Sequence, residues 1–177
     1  MLSEEITVLV AEEAEEKMVR AYLPDVRCIR TGVGASNVIR TCFGLPGGSL
    51  IFNIGYAGSN VLPIGTVTTV SQSFRLMDNT YQFVDHNNPL DIPGGEYPCY
   101  TNNSFVTSSE LEEPALFDME LNYMAAFPFK LVGAIKIVSD NLSVDAFRNN
   151  AIRESGILTS AGVWEKVRDL FNSIVGA

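Results

Sequence analysis

The residues best placed to do chemistry stand at the end of one run, LVGAIKIVSD, from Leu131 to Asp140. Mostly apolar, branched residues lead to a carboxylate, with Pro128 before the run and the polar Asn141 after it. Such a run predicts a strand buried on both faces, with Lys136 its one charged interruption. In an open α/β sheet, ligands collect at the carboxyl ends of such strands, which is where Ser139 and Asp140 fall. A carboxylate at the mouth of a dry strand has its pKa raised and can donate a proton near neutrality. The competing reading is that Asp140 caps the next turn through its side chain. Position alone does not separate the two.

A second carboxylate is picked out by helical geometry. ITVLVA, Ile6 to Ala11, predicts a first buried strand, and Glu12 to Tyr22 predicts the helix after it. Acidic residues in a first turn complement the helix dipole, which accounts for most of the EEAEE cluster. Ala11, Ala14, Met18 and Tyr22 form an apolar stripe at spacings of three and four. Glu15 borders that stripe, whereas Glu12, Glu13 and Glu16 point further towards solvent.

The other elements must position these two. Val26 to Thr31 predicts a second strand. TGVGASNVIRT, Thr31 to Thr41, predicts a glycine turn entering a helix capped by Ser36 or Asn37. The free N–H groups of such a turn suit an anion, but this is neither GxGxxG nor a P-loop. Leu50 to Ile54 predicts a third strand ending in a turn, NIGYAGSN, and TVTTVSQS the strand that follows. Met77 to Pro98 reads as a long polar connection or interface arm. Tyr100 to Val106 and Ala115 to Met119 read as extended, and Glu120 to Phe127 as helical. Leu142 to Ala151 predicts a turn and a short helix, and Ala161 to Ile174 a closing amphipathic helix. There is no internal repeat and no second core, so residues 1–177 are expected to form a single domain.

Composition narrows the function classes. A net charge of −9 argues against nucleic acid or an anionic membrane as partner, because both need concentrated positive charge. The three cysteines, Cys28, Cys42 and Cys99, are widely spaced and suit a reducing compartment. No CxxC or His/Cys pairing offers a metal site, no cofactor is implied, and His86 falls in a polar loop where exposure is expected. MLSEEITVLV lacks the basic region and long apolar core of a signal peptide, and no span suits a membrane, so the expected location is cytoplasmic.

In this order, the acidic first helix, NIGYAGSN, FDMEL (Phe117 to Leu121) and the terminal VSD resemble the nucleoside phosphorylase superfamily. The resemblance is strongest to the 5′-methylthioadenosine/S-adenosylhomocysteine nucleosidases. Met-Glu and Ser-Asp are its most specific parts, and it covers most of the chain. It implies a three-layer α/β/α fold with a central mixed twisted sheet, phosphorylase/nucleosidase-like but shortened. The shortening falls between the first helix and second strand, and between Val106 and Ala115. The resemblance also assigns roles. Glu120 would accept hydrogen bonds from the ribose 2′ and 3′ hydroxyls, and Met119 would pack against the sugar. Asp140 would protonate the purine, with Ser139 beside it. Phe105 would stack on the base, and the backbone of Val106 would hydrogen-bond its edge. Tyr56 and Ala57 would contact substrate from the glycine turn, Tyr56 standing where the nucleosidases usually carry serine. Glu15 would activate water, with Glu13 as the alternative. Lys136 stands where arginine is expected.

The activity so implied is hydrolysis of a purine nucleoside to free base and sugar, as in methionine salvage, by a homodimer with a small-molecule substrate. Cleaving an N-glycosidic bond builds positive charge on the sugar and negative charge on the leaving base, which carboxylates and an acid relieve. A phosphorylase, a futalosine-type hydrolase and a non-catalytic nucleoside-binding protein are the alternatives.

Overall fold

The computed structural model describes residues 5–77, 84–151 and 156–176. Among them, eight strands build one mixed sheet: β1 (Ile6–Val10), β2 (Arg27–Arg30), β3 (Leu50–Ser59), β4 (Val67–Leu76), β5 (Val84–Asp91), β6 (Tyr97–Thr101), β7 (Leu116–Asp118) and β8 (Lys130–Asp140). The predicted organising strand, β8, is its centre, pairing parallel to β3 and antiparallel to β4. The sheet is not open as expected. β4 pairs with β6, β6 with β7, and β7 returns to β3, so five strands close a ring. β1 and β2 extend from β3, and β5 from β4.

The closure follows from the length of β3. NIGYAGSN does not turn; it continues the strand to Ser59. On the edge away from β8, β1 accompanies β3 only from Leu50 to Asn53, and β7 joins at Gly58. Between Asn53 and Gly58 that edge has no strand partner among the described residues. A sheet whose neighbouring strands part in this way leaves a crevice and unpaired main-chain groups, and both call for partners.

Side chains alternate across the sheet with the period of two that a pleated strand imposes. Val8, Val10, Ile54, Ile135 and Ile137 join one apolar cluster, with Val19 of α1 (Glu13–Tyr22) and Trp164, Val167 and Phe171 of the closing helix. Leu9, Ile51, Ala57, Ala134 and Val138 join another, with Val38 and Cys42 of α2 (Ala35–Phe43) and with Leu121 and Met124. The closing helix, numbered after α3 (Val144–Ala151), is α4 (Ala161–Val175). It buries Val163, Trp164, Val167, Phe171 and Val175; Trp164 is fully enclosed, its indole N–H donating to the Leu158 carbonyl at 2.7 Å. No helix among the described residues is long and apolar enough to cross a membrane.

Several elements depart from expectation for local reasons. In α1 the fully buried residues are Glu15 and Val19, with Met18 and Tyr22 half-buried, so Glu15 sits within the buried face rather than at its border. Neither Ser36 nor Asn37 caps α2. Gly34 does, at φ +85°, a conformation that needs glycine. The supposed polar arm carries β5, paired with β4, while Tyr81 and Phe83 lie outside the described residues, as does the side chain of His86. The strand expected over Tyr100–Val106 is β6, and Phe105 and Val106 follow it in irregular chain. The helix expected from Glu120 is a 3-10 segment, Leu121–Ala126, in which Ala125 is exposed.

Candidate active site

The crevice beside β3 is where the carboxylates meet. Glu15, from the first turn of α1, reaches across the end of β1 into the gap. Its Oε1 accepts the Tyr56 N–H at 2.7 Å, a main-chain donor that no strand pairs. Its Oε2 accepts the N–H groups of Ala11 and Glu12, each at 2.8 Å. Gly55 permits the approach, since a Cβ there would stand 3.3 Å from Glu15 Oε1. Burial raises the Glu15 pKa to about 7, against the backbone donors that pull it down. A general base poised near neutrality is what water activation needs.

Asp118, Glu120 and Lys136 stand close by. The Lys136 ammonium, 1% exposed, donates to Asp118 Oδ2 at 2.7 Å. Burial disfavours its charge, but Asp118, with Cys99 and Glu120 beside it, more than offsets this and holds its pKa above the ordinary lysine range. Asp118 also accepts the Leu121 N–H at 3.0 Å and the Thr101 hydroxyl, so both its oxygens are engaged. Glu120 Oε1 accepts the Gly34 N–H at 2.9 Å. A free N–H of the TGVGASN turn is thus taken by the protein's own Glu120 side chain. Burial, and then Asp118 beside it, push Glu120 up to about 8. Hydroxyl donors arriving at this carboxylate would favour its ionised form.

Asp140 closes the other end. The Ser139 hydroxyl donates to its Oδ2 at 2.7 Å, and the Leu142 N–H to its Oδ1 at 2.9 Å. Both readings of Asp140 therefore describe real contacts: it caps the turn, and burial raises its pKa. Gly58 leaves it space, since a Cβ there would stand 2.8 Å from Asp140 Oδ1. Around it, Phe105 is half-buried with its ring 5.6 Å from that of Phe147 on α3, and Val106 is buried. Asn103 ties this irregular chain to α2 by accepting the Ala35 N–H at 2.9 Å.

One pocket gathers Glu15, Tyr56, Ala57, Phe105, Val106, Met119, Glu120, Ser139 and Asp140, all singled out from the sequence. Glu13 is the exception. Its side chain is 65% exposed and paired with Lys17 at 3.3 Å and Arg30 at 3.6 Å, away from the cavity. Asp118 was not singled out, although it lies inside FDMEL. The signal was Lys136, since an ammonium in a dry strand requires an acid opposite. Val33, Leu142 and Phe147 also line the pocket. Among the described residues, no three His, Cys, Asp or Glu side chains form a metal-binding group.

No family model and no curated protein sequence matches the chain. Solved structures do. A nucleosidase (MTAN) from Chlamydia trachomatis superposes with a TM-score of 0.68 at 18% identity, over 96% of this chain and 97% of that one. A mutant MTAN from Helicobacter pylori, with 5′-methylthioadenosine in its active site, gives 0.67 at 16%, over 95% and 99%. A mutant futalosine hydrolase from Helicobacter pylori gives 0.66 at 16%, over 93% and 98%. At these identities the likeness is one of fold: the chain has the fold of the 5′-methylthioadenosine/S-adenosylhomocysteine nucleosidases.

Proposed function

We propose that this chain hydrolyses the N-glycosidic bond of a purine nucleoside of the methylthioadenosine type, releasing free base and free sugar. The observation that carries the reading is the pocket's lining: Glu12, Glu15, Asp118, Glu120 and Asp140 border it, and among the described residues no lysine or arginine does. Such a site suits a sugar that becomes cationic and disfavours a phosphate dianion. Arg30 and Arg40 lie close to the glycine turn in sequence, but neither lines the pocket, and Arg30 pairs with Glu13 and Glu16. Lys136 is committed to Asp118.

In this mechanism Glu120 accepts hydrogen bonds from the ribose hydroxyls and Met119 packs on the sugar. Phe105 and the backbone of Val106 receive the base. As the bond breaks, Asp140 passes a proton to the purine while Glu15 takes one from the attacking water. Acid catalysis of this kind supplies about 10²–10⁴ in rate. The futalosine hydrolase likeness supports the wider class of purine nucleosides as substrates. We further read residues 1–177 as a single three-layer α/β/α domain that acts in the cytoplasm as a homodimer. The exposed Phe43, edge-on to Phe127 at 5.4 Å, offers an apolar surface for such pairing.

The test is incubation with methylthioadenosine, adenosine and inosine, with and without phosphate, followed by identification of the sugar. Free sugar at a rate indifferent to phosphate is expected. A ribose 1-phosphate species formed only with phosphate would make the chain a phosphorylase, and tight binding without cleavage would make it a nucleoside-binding protein.

A further inference from the structure

One residue beside Asp140 holds a conformation that its type resists. Leu142 has φ +61°, and among the described residues every other positive φ belongs to glycine. A bulky side chain in the left-handed region is strained, and such a position ordinarily goes to glycine or asparagine. Strain of this kind persists only where neighbours over-determine it. Here they do. The Asn141 side-chain amide donates to the carbonyls of Ser59 and Leu62, at 3.2 and 3.1 Å. The Leu142 N–H is held by Asp140, and the Ser143 hydroxyl accepts the Ala146 N–H at 3.2 Å, where α3 begins.

A glycine would ease this turn, but it would also remove an isobutyl group. That group is well placed. Leu142 lines the pocket, half-buried, and packs against the cluster that contains Tyr100, Val106 and Phe117. Its Cδ2 stands 3.1 Å from the point that a Cβ on Gly58 would occupy, and Asp140 Oδ1 stands 2.8 Å from the same point. The methyl group and the carboxyl group therefore meet over one Cα, with no room there for even a further methyl. In the hydrolase reading Asp140 gives its proton to the free imidazole-ring nitrogen of the purine. That edge of the base is flanked by C8 on one side and by the 6-substituent on the other.

We propose that the Leu142 side chain determines which purines the site accepts, by walling the edge that meets Asp140 against bulk at C8 or on the 6-substituent. This deepens, and rests on, the hydrolase reading. The strained turn aims the wall, because the direction of a side chain follows from its backbone conformation. An apolar wall of this kind discriminates by size, and one methyl group too many is worth about 10–200-fold in efficiency.

The experiment measures kcat/KM of wild type, Leu142→Ala and Leu142→Gly on methylthioadenosine and on its 6-dimethylamino and 8-methyl analogues. Wild type should cleave each analogue at least about tenfold less efficiently than the parent nucleoside. In both variants that gap should narrow at least about fivefold for one analogue or both. Leu142→Gly controls for folding. It removes the same wall and eases the turn, so it should melt above Leu142→Ala while showing the same change in selectivity. A smaller change of selectivity in the glycine variant would overturn the proposal, as would a wild type that cleaves parent and analogues alike. If wild type cleaves no nucleoside, the hydrolase reading falls on that result alone. The wall is then judged by calorimetry with adenine, 6-dimethylaminopurine and 8-methyladenine. Wild type should favour adenine and the glycine variant should level the order; an order left as in wild type overturns the wall.

Discussion

Glu15 and Asp140 are equally enclosed, each 1% exposed, yet the fold treats them differently. Glu15 completes the main chain. It accepts three backbone N–H groups, one of them from the stretch of β3 that no strand accompanies, and it shares its surroundings with the Lys136–Asp118 pair. Asp140 terminates a strand and faces irregular chain, its oxygens met by the Ser139 hydroxyl and by N–H groups of the turn that follows. The sugar end of the pocket is therefore part of what holds the protein together, while the base end is mounted upon it. Damage at one end should show in stability, and at the other in chemistry alone.

The largest effect is expected at the base end. Asp140→Asn keeps shape and hydrogen bonding but lacks the transferable proton, so turnover should fall about 10²–10⁴-fold in steady-state assays. Nucleoside affinity, by calorimetry, should change far less, because the lost interaction matures in the transition state. A rate within a few-fold of wild type would leave Asp140 a turn cap and nothing more.

At the sugar end, Lys136→Met should cost about 3–5 kcal/mol in a denaturant titration, since it strands Asp118 among other buried carboxylates. A variant as stable as wild type would erase the contrast between the two ends.

Acidity sharpens the contrast without a mutation. Glu15 must be ionised to act as base, so kcat/KM should climb with pH through about 7. Stability should move the other way. The folded pKa of about 7 lies above the ordinary 4.5, so the folded state binds this proton more tightly than the unfolded one. The contribution is full below about 4.5 and lost as pH rises through about 7, on the order of 3 kcal/mol. Glu120, raised for the same reason, acts in the same direction. Denaturant titrations at pH 5 and pH 8 check the sign; equal stabilities would mean that Glu15 is not carrying this burden.

The smallest effect is reserved for Glu13→Gln. Exposed and outside the pocket, Glu13 should leave turnover within about twofold and stability within about 0.5 kcal/mol. A large loss of turnover would move the water-activating role from Glu15 to Glu13.

Much of this was legible before the structure, where residue type and burial point the same way. The branched run of β8 reads as a dry central strand, and the helical spacing of Glu15 brings it to the border of the buried face, one step short of where it lies. NIGYAGSN reads both as a turn and as a place where the backbone comes close to another group, because glycine marks either, and only the second reading holds. Gly55 and Gly58 serve the second purpose, for Glu15 and Asp140. Nothing local in VDHNNPLD announces a strand; its pairing with β4 is a tertiary outcome. The closure of the sheet was hidden for the same reason, since it depends on which edge of β3 each neighbour takes. Asp118 needed a pairing argument rather than a motif.

The register of β3 against β8 also decides when this protein can exist at all. Leu50 pairs with Lys130 and Gly58 with Asp140, so the central contact joins segments far apart in the chain. On the ribosome, the apolar LIFNIGYAGS emerges long before its partner and must wait without it. Closing so long a loop is slow, and an apolar strand whose β8 edge is open is a template for aggregation meanwhile. Synthesis must run past Asp140 before any pocket forms, so a chain truncated upstream of that residue is left with an exposed sticky strand and no site.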